Sequence, residues 1–86
     1  MYRVRLTKHA VKDYELIKAA KLSVTTRNLL EIMKQNPFQS PPPFEKLIGD
    51  LAGAYSRRIN LQHRLVYRIE PELKEIIVIK MLTHYG

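Results

Sequence analysis

The chain has 86 residues, 45% apolar and 27% charged, which is enough for one small globular domain and unlike a disordered chain. It contains no cysteine, which excludes disulfides and thiolate metal sites and suits a reducing compartment. Fifteen Lys and Arg against eight Asp and Glu give a net charge of +7, which indicates a polyanionic partner (nucleic acid or an acidic protein) unless the basic surface is merely solvated.

The first half of the chain predicts a strand followed by a helical hairpin. Residues Tyr2 to Leu6 alternate apolar and cationic side chains, a pattern typical of a half-buried strand. Thr7 is the expected N-cap of a helix from Lys8 to Ala20. A second helix is predicted from Leu22 to Gln35, because apolar residues again recur at helical spacing, and Asn36-Pro37 ends it.

A proline-rich connector from Asn36 to Gly53 follows the second helix. Three consecutive prolines, Pro41 to Pro43, are incompatible with a helix or a central strand, so the connector is predicted to be extended and stiff, with turns at Gly49 and Gly53. Two interpretations remain open. The connector is either a surface loop without a role or a rigid arm that determines where Glu45 points.

The remainder of the chain predicts an antiparallel sheet. Ala54 to Asn60 and His63 to Glu70 form a hairpin, and Glu75 to Leu82 is the last strand. That strand is apolar on both sides through Val78, which favours a central position. The layout β-α-α-β-β-β predicts an α+β fold in which a small, mostly antiparallel sheet packs on the helical hairpin, as a single domain over residues 1–86.

Alternation along the strands predicts which side chains share a face. His63 falls on the mostly apolar side of the middle strand and is expected to be a packing histidine. Arg64 and Arg68 share the other side, so Arg64 is predicted to face outward from an open, basic face. Arg57 and Arg58 point to opposite faces, so only one of them is expected to reach a nucleic acid, and parity favours Arg58.

Several classes of site and location are not indicated. The longest apolar run, Ile76 to Ile79, is far too short to span a bilayer, and the first residues lack an apolar stretch of signal-peptide length. A cytoplasmic protein without a membrane partner is therefore expected. No Gly-rich phosphate loop, nucleophilic serine motif or set of metal ligands is apparent, so no cofactor and no metal are expected.

The residues that remain suit the cleavage of RNA through its own 2′-hydroxyl. That reaction needs a base for the 2′ proton, an acid for the departing 5′ oxygen and fixed cations for the phosphorane charge. Glu45 after the proline arm, the arginines of the open face and the terminal His84 supply these groups, and Tyr85 can stack on a base. The alternative is that these charged side chains are only solvated.

The stretch "FEKLIGDLAGAYSRRINLQHRLVYRI", Phe44 to Ile69, together with the ending "HY", resembles the YoeB/Txe toxins of the RelE-like superfamily. The early "TKHAVKDY" and the "NPF" after the second helix also fit, so the likeness covers nearly the whole chain. Matching positions are Glu45, Leu47, Gly49, Leu51, Gly53, Ser56-Arg57-Arg58-Ile59, His63 to Tyr67 and His84-Tyr85.

The resemblance implies a ribosome-dependent endoribonuclease that cuts mRNA in the ribosomal A site without a metal. It implies Glu45 as general base, His84 as general acid, Arg64 as the ligand of the scissile phosphate and Tyr85 as the residue that orients a base. A YefM/Axe-like antitoxin is the implied inhibitor, with self-pairing and a toxin–antitoxin complex on operator DNA left open. The candidate RNA-binding residues are Lys46, Arg68 and the pair Arg57 and Arg58, of which parity favours Arg58.

Four positions depart from the family pattern. Phe44 replaces a proline, Ile48 a frequent lysine and Tyr55 a tryptophan, while Gly86 adds a residue at the end. None removes a catalytic side chain. Two other functions stay open: a non-enzymatic toxin like the gyrase-inhibiting ParE proteins, and a basic module that binds RNA or the ribosome.

Overall fold

Two helices and five strands account for most of the chain in the computed structural model, which describes residues 1–82. The elements are β1 (Arg3–Leu6), α1 (Lys8–Ala19), α2 (Ser23–Gln35), β2 (Glu45–Lys46), a 3-10 turn (Gly49–Leu51), β3 (Tyr55–Arg58), β4 (Arg64–Glu70) and β5 (Glu75–Leu82). The strands form one sheet in the order β1-β5-β4-β3-β2, in which β1 is parallel to β5 and the other pairs are antiparallel. The predicted α+β class and the central position of the last strand are confirmed.

The helices begin and end close to the predicted residues. Thr7 is the N-cap of α1, and its Oγ1 accepts a hydrogen bond of 3.1 Å from the backbone N–H of Ala10. The second helix begins one residue later than predicted and ends at the predicted residue, Gln35, with Asn36 as its C-cap. Both helices pack on one face of the sheet. The buried cluster between them consists of Ala10, Ile17, Leu29, Met33, Ile59, Leu65, Tyr67, Ile76, Val78 and Met81. Among residues 1–82, neither helix is long and apolar enough to cross a membrane.

Cross-strand register divides the sheet into two sets of side chains, because directly paired residues point to the same face. Leu65 pairs with Arg57 and Met81, and Leu65 and Met81 belong to the helix-packed core. Arg64 pairs with Arg58, and its row lies on the opposite face. We call that opposite face the outer face; it carries Glu45, Ser56, Arg58, Arg64, Val66 and Arg68.

One predicted feature of the second half is wrong, and one element was not predicted. The connector turns at Gly49–Leu51, where Gly49 is expected to mark a turn, but its residues Glu45–Lys46 also add an edge strand to β3. His63 does not pack in the core, because it lies in the turn before β4, where its Nδ1 is 2.9 Å from Asn60 Oδ1. The same Asn60 oxygen accepts the backbone N–H of His63 at 2.8 Å, which fixes the turn.

Candidate active site

Glu45 and Arg64, which lie far apart in the sequence, form an ion pair at the edge of the outer face. Arg64 Nη1 lies 3.3 Å from Glu45 Oε1 and 3.3 Å from Ser56 Oγ. The side chain of Arg64 is only 5% exposed, whereas that of Glu45 is 62% exposed. The structure therefore places an accessible carboxylate next to a cation that the protein already holds in position.

The burial of Arg64 corrects the prediction that it faces outward from an open face. Its strand parity is as predicted, but Glu45 on β2 and Ser56 on the neighbouring β3 lie against the guanidinium. A guanidinium held in this way loses little side-chain entropy when it binds a phosphate oxygen. Fixed donors of this kind are the groups that stabilise developing negative charge most effectively.

Arg57 lies on the helix side of the sheet and is 1% exposed. Its Nε donates to the hydroxyl of Tyr67 at 2.9 Å, its Nη2 donates to the carbonyl of Pro37 at 2.9 Å, and its Nη1 donates to the carbonyl of Pro42. The structure therefore does not bring Arg57 to the outer face with the other candidate RNA-binding arginines, because its guanidinium is buried and all three of its nitrogens bond to the protein. Arg58 is exposed on the outer face, as parity predicted.

An aromatic cluster packs around this buried arginine. The ring of Phe44 lies 4.9 Å from the Arg57 guanidinium carbon and 5.8 Å from the ring of Tyr55. Tyr55 in turn stacks on Tyr67 at 5.8 Å. Burial raises the pKa of the Tyr67 phenol, and the charge and hydrogen bond of Arg57 partly offset that rise. Phe44 and Tyr55, two of the departures from the family pattern, therefore pack against each other beside Arg57.

The remaining candidate RNA-binding residues lie on different faces. Arg68 is on the outer face, where a Cβ at Gly53 would come within 3.0 Å of its Nη1, and Gly53 has a φ of +91°. Glycine therefore suits position 53 for two reasons: its backbone is left-handed, and the Arg68 side chain lies too close for a Cβ. Lys46 pairs with Tyr55 in a row that continues into the core, so it is exposed on the helix side, away from Glu45. The structure does not bring Lys46 together with the ion pair.

His84 and Tyr85 lie outside the described residues. The strand that leads to them is anchored by α1, a contact that the sequence interpretation missed. Thr7 Oγ1 donates to Ile79 O at 2.6 Å, and Asp13 Oδ2 accepts the Met81 backbone N–H at 2.9 Å. β1 ends beside Val78. Beyond that residue, the side chains of Thr7 and Asp13 make the hydrogen bonds to β5 that a neighbouring strand would otherwise make. The register then pairs Leu82, the last described residue, with Arg64.

Asp13 also contacts His9, one of the three histidines. His9 Nδ1 lies 2.8 Å from Asp13 Oδ2, one helical turn away, and its side chain is 68% exposed. This i,i+4 spacing is visible in the sequence, but no sequence pattern indicates the bond between Asp13 and the sheet. Within residues 1–82, no three His, Asp or Glu side chains are close enough to one another to hold a metal ion.

Comparison with known proteins shows a family similarity over nearly the whole chain. The family model for the YoeB-like toxin of bacterial type II toxin–antitoxin systems matches residues 6–85. The toxin YoeB of Streptomyces coelicolor is 34% identical over 85 residues, which cover 96% of this chain and 99% of that protein.

Solved structures show the same fold. A YoeB/ParE toxin from Agrobacterium tumefaciens is 33% identical, with a TM-score of 0.83 over 96% of this chain and 99% of that one. The YoeB of Staphylococcus aureus in a heterotetrameric complex with YefM is 30% identical, with a TM-score of 0.80 over 99% of each chain. The same S. aureus toxin has also been solved as a dimer.

Proposed function

The chain belongs to the family of YoeB-like toxins of bacterial type II toxin–antitoxin systems, and we propose that it is a ribosome-dependent endoribonuclease that cleaves mRNA in the A site. The observation that carries this proposal is the pair formed by exposed Glu45 and buried Arg64. Acid–base cleavage of a phosphodiester uses an accessible carboxylate beside a fixed cation. A toxin that acts only by binding has no need of this arrangement.

The proposed reaction uses the 2′-hydroxyl of the message as the nucleophile. Glu45 removes the 2′ proton, and the 2′ oxygen attacks the adjacent phosphorus while the bond to the 5′ oxygen breaks. His84 donates a proton to that departing oxygen, and Arg64 stabilises the negative charge of the phosphorane. Tyr85 stacks on a base to orient it. The products are a 2′,3′-cyclic phosphate and a 5′-hydroxyl, and the proton count balances without a metal or a water molecule.

The end of β5 supports the roles proposed for His84 and Tyr85. Leu82 is the register partner of Arg64, and only two peptide units separate Leu82 from His84. A chain of that length spans at most about 7 Å between Cα atoms. We therefore propose that His84 acts on the same scissile bond as Arg64.

Among residues 1–82, the outer face carries few cationic side chains that could position the RNA. Arg58 and Arg68 share the outer face with Arg64 and are the proposed phosphate contacts, and Lys46 would contact RNA only from the other side of the edge strand. The ribosome, which already fixes the A-site codon, supplies the missing orientation. We propose that efficient cleavage needs the ribosome for this reason.

The proposed inhibitor is a YefM/Axe-like antitoxin. The S. aureus relative is in complex with YefM, and the net charge of +7 on this chain suits an acidic segment that orders on binding. Self-pairing of the toxin and binding of the toxin–antitoxin complex to operator DNA belong to the same proposal. Two measurements would test it. A purified acidic antitoxin should inhibit cleavage, and the toxin by itself should sediment as a dimer.

Mapping of mRNA 5′ ends after induction tests the proposed function. We expect new ends within codons of translated messages, and we expect purified toxin to cut translating mRNA far faster than the same RNA free in solution. The Agrobacterium relative carries a YoeB/ParE name, so a gyrase supercoiling assay is the appropriate parallel measurement. If the protein inhibits supercoiling and leaves messages intact, the nuclease proposal is wrong and the ParE-like alternative is supported. If it cleaves free RNA as fast as translating mRNA, only the proposed ribosome dependence is wrong.

A further inference from the structure

We propose that Arg57 is a positioning residue whose buried guanidinium clamps the proline arm, Pro37 to Phe44, and thereby fixes Glu45. The proposal rests on the proposed role of Glu45 as general base. Arg57 is 1% exposed and lies on the helix side, so it acts on the reaction through the arm rather than by touching RNA.

The contacts of Arg57 join three parts of the molecule. Its Nη2 bonds to the carbonyl of Pro37 at the start of the arm, and its Nη1 bonds to the carbonyl of Pro42 near the end. Its Nε bonds to the hydroxyl of Tyr67 on β4, in the centre of the sheet. One rigid guanidinium therefore ties both ends of the arm to the sheet.

The arm depends on bonds of this kind because of its composition. Pro41 to Pro43 have no backbone N–H and so have no donor with which to join a sheet or a turn. The arm can be fastened there only through its carbonyls and side chains. A buried arginine suits this requirement, because its planar group offers five donors in a fixed geometry and lysine offers only a point charge.

The position of Phe44 transmits the clamp to the candidate base. Phe44 directly precedes Glu45, and its ring lies 4.9 Å from the Arg57 guanidinium carbon, within the range of a cation–π contact. The strand β2 that carries Glu45 is only two residues long, and so short an edge pairing has little stability of its own. The Leu47 N–H donates to Ala54 O at 2.9 Å and closes this segment. The exchange rate of that amide reports how firmly the segment is held.

The test compares Arg57→Lys with Arg27→Lys, an exposed arginine on α2 that serves as the control. We expect Arg57→Lys to lower kcat on programmed ribosomes by about 10- to 100-fold with little change in KM, since small misplacements of a catalytic group have effects of this size. We also expect hydrogen exchange at Leu47 to become faster in Arg57→Lys, whereas Arg27→Lys leaves both measurements at wild-type values.

A double-mutant cycle separates positioning from direct contact. If Arg57 acts through Glu45, then adding Arg57→Lys to Glu45→Gln produces no further loss of kcat. Multiplying losses, together with an unchanged exchange rate at Leu47, would overturn the proposal and make Arg57 an independent contributor. The matched comparison is Arg58→Lys with Glu45→Gln, for which we expect the losses to multiply because Arg58 is exposed on the outer face.

Two further measurements keep the inference testable by itself. If Arg57→Lys fails to fold, Tyr67→Phe removes only the acceptor of the Nε bond. We then expect a smaller acceleration of Leu47 exchange, about tenfold, because the donor of the lost hydrogen bond is the charged guanidinium, and an unchanged rate would overturn the clamp. If the wild-type protein cleaves no message, the proposed function fails, while the exchange of Leu47 in Arg57→Lys still decides whether the clamp exists.

Discussion

Replacement of Arg64 by glutamine should separate catalysis from folding, because the contacts of this residue contribute unequally to the two. Arg64 Nη1 is 3.3 Å from Glu45 Oε1 and 3.3 Å from Ser56 Oγ, and the Arg64 side chain is 5% exposed. Glutamine keeps part of the stem and a donor but removes the charge. Arg64→Lys keeps the charge and loses the planar fork, so we expect an intermediate result.

The expected magnitudes follow from these contacts. Loss of one fixed donor to developing negative charge lowers kcat by about 10²–10³, which corresponds to about 2.7–4 kcal/mol. The effect on stability is smaller. Glu45 is 62% exposed and is solvated when its partner is removed, so the pair contributes about 0–1 kcal/mol to folding. The hydrogen bond to Ser56 has a charged donor but is long, at 3.3 Å, so it adds about 1.5 kcal/mol.

The assay is single-turnover cleavage on programmed ribosomes, combined with urea unfolding of the same samples. Arg27→Gln, on the exposed side of α2, is the control for removing one positive charge. A cleavage rate for Arg64→Gln within threefold of the wild-type rate would refute the reasoning. So would a large loss of stability with full activity per folded molecule, since Arg64 would then be a structural residue only.

Three other predictions follow. Glu45→Ala and His84→Ala should each lower the cleavage rate by about 10²-fold or more with little change in folding, as measured by single-turnover cleavage and circular dichroism. Asp13→Ala should remove the bond to the end of β5 and lower kcat about tenfold at unchanged KM, whereas Glu15→Ala on the exposed side of the same helix should not; equal effects would exclude an anchoring role. Burial raises the pKa of Tyr67, so above about pH 10 the folded state still holds a proton that the unfolded state has lost. The free energy of unfolding should therefore fall as the pH rises above about 10, and Tyr67→Phe should reduce that fall.

Much of the fold was predictable because local chemistry and tertiary structure agree. Thr7 caps the first helix, the alternating pattern places Leu65 and Tyr67 in the core, and the doubly apolar last strand is central. The structure brings Glu45 and Arg64 together. Residue types and strand parity indicated only that these charged groups suit the cleavage of RNA, whereas their roles as base and phosphate ligand came from the family resemblance and remain proposals.

The remaining features depend on pairings that have no local signal. A two-residue strand such as Glu45–Lys46 forms only because β3 is there to pair with it, and its pattern is too short to detect. The role of Arg57 depends on carbonyls 15 and 20 residues away, and parity alone shows only that it leaves the outer face. The bond from Asp13 to Met81 spans 68 positions and joins a helix to the opposite end of the chain.

The most direct test of the central claim is cleavage of an mRNA that carries one 2′-deoxy nucleotide on the 5′ side of the scissile phosphate, in a programmed ribosome. Attack by the 2′-hydroxyl predicts that this message stays intact, while the all-ribose message yields a 2′,3′-cyclic phosphate and a 5′-hydroxyl. The 2′-deoxy substitution leaves the phosphate, the codon and the ribosome unchanged, so ribosome binding should be the same for both messages. Cleavage of the deoxy message at the same rate, or products with a 5′-phosphate, would contradict the account.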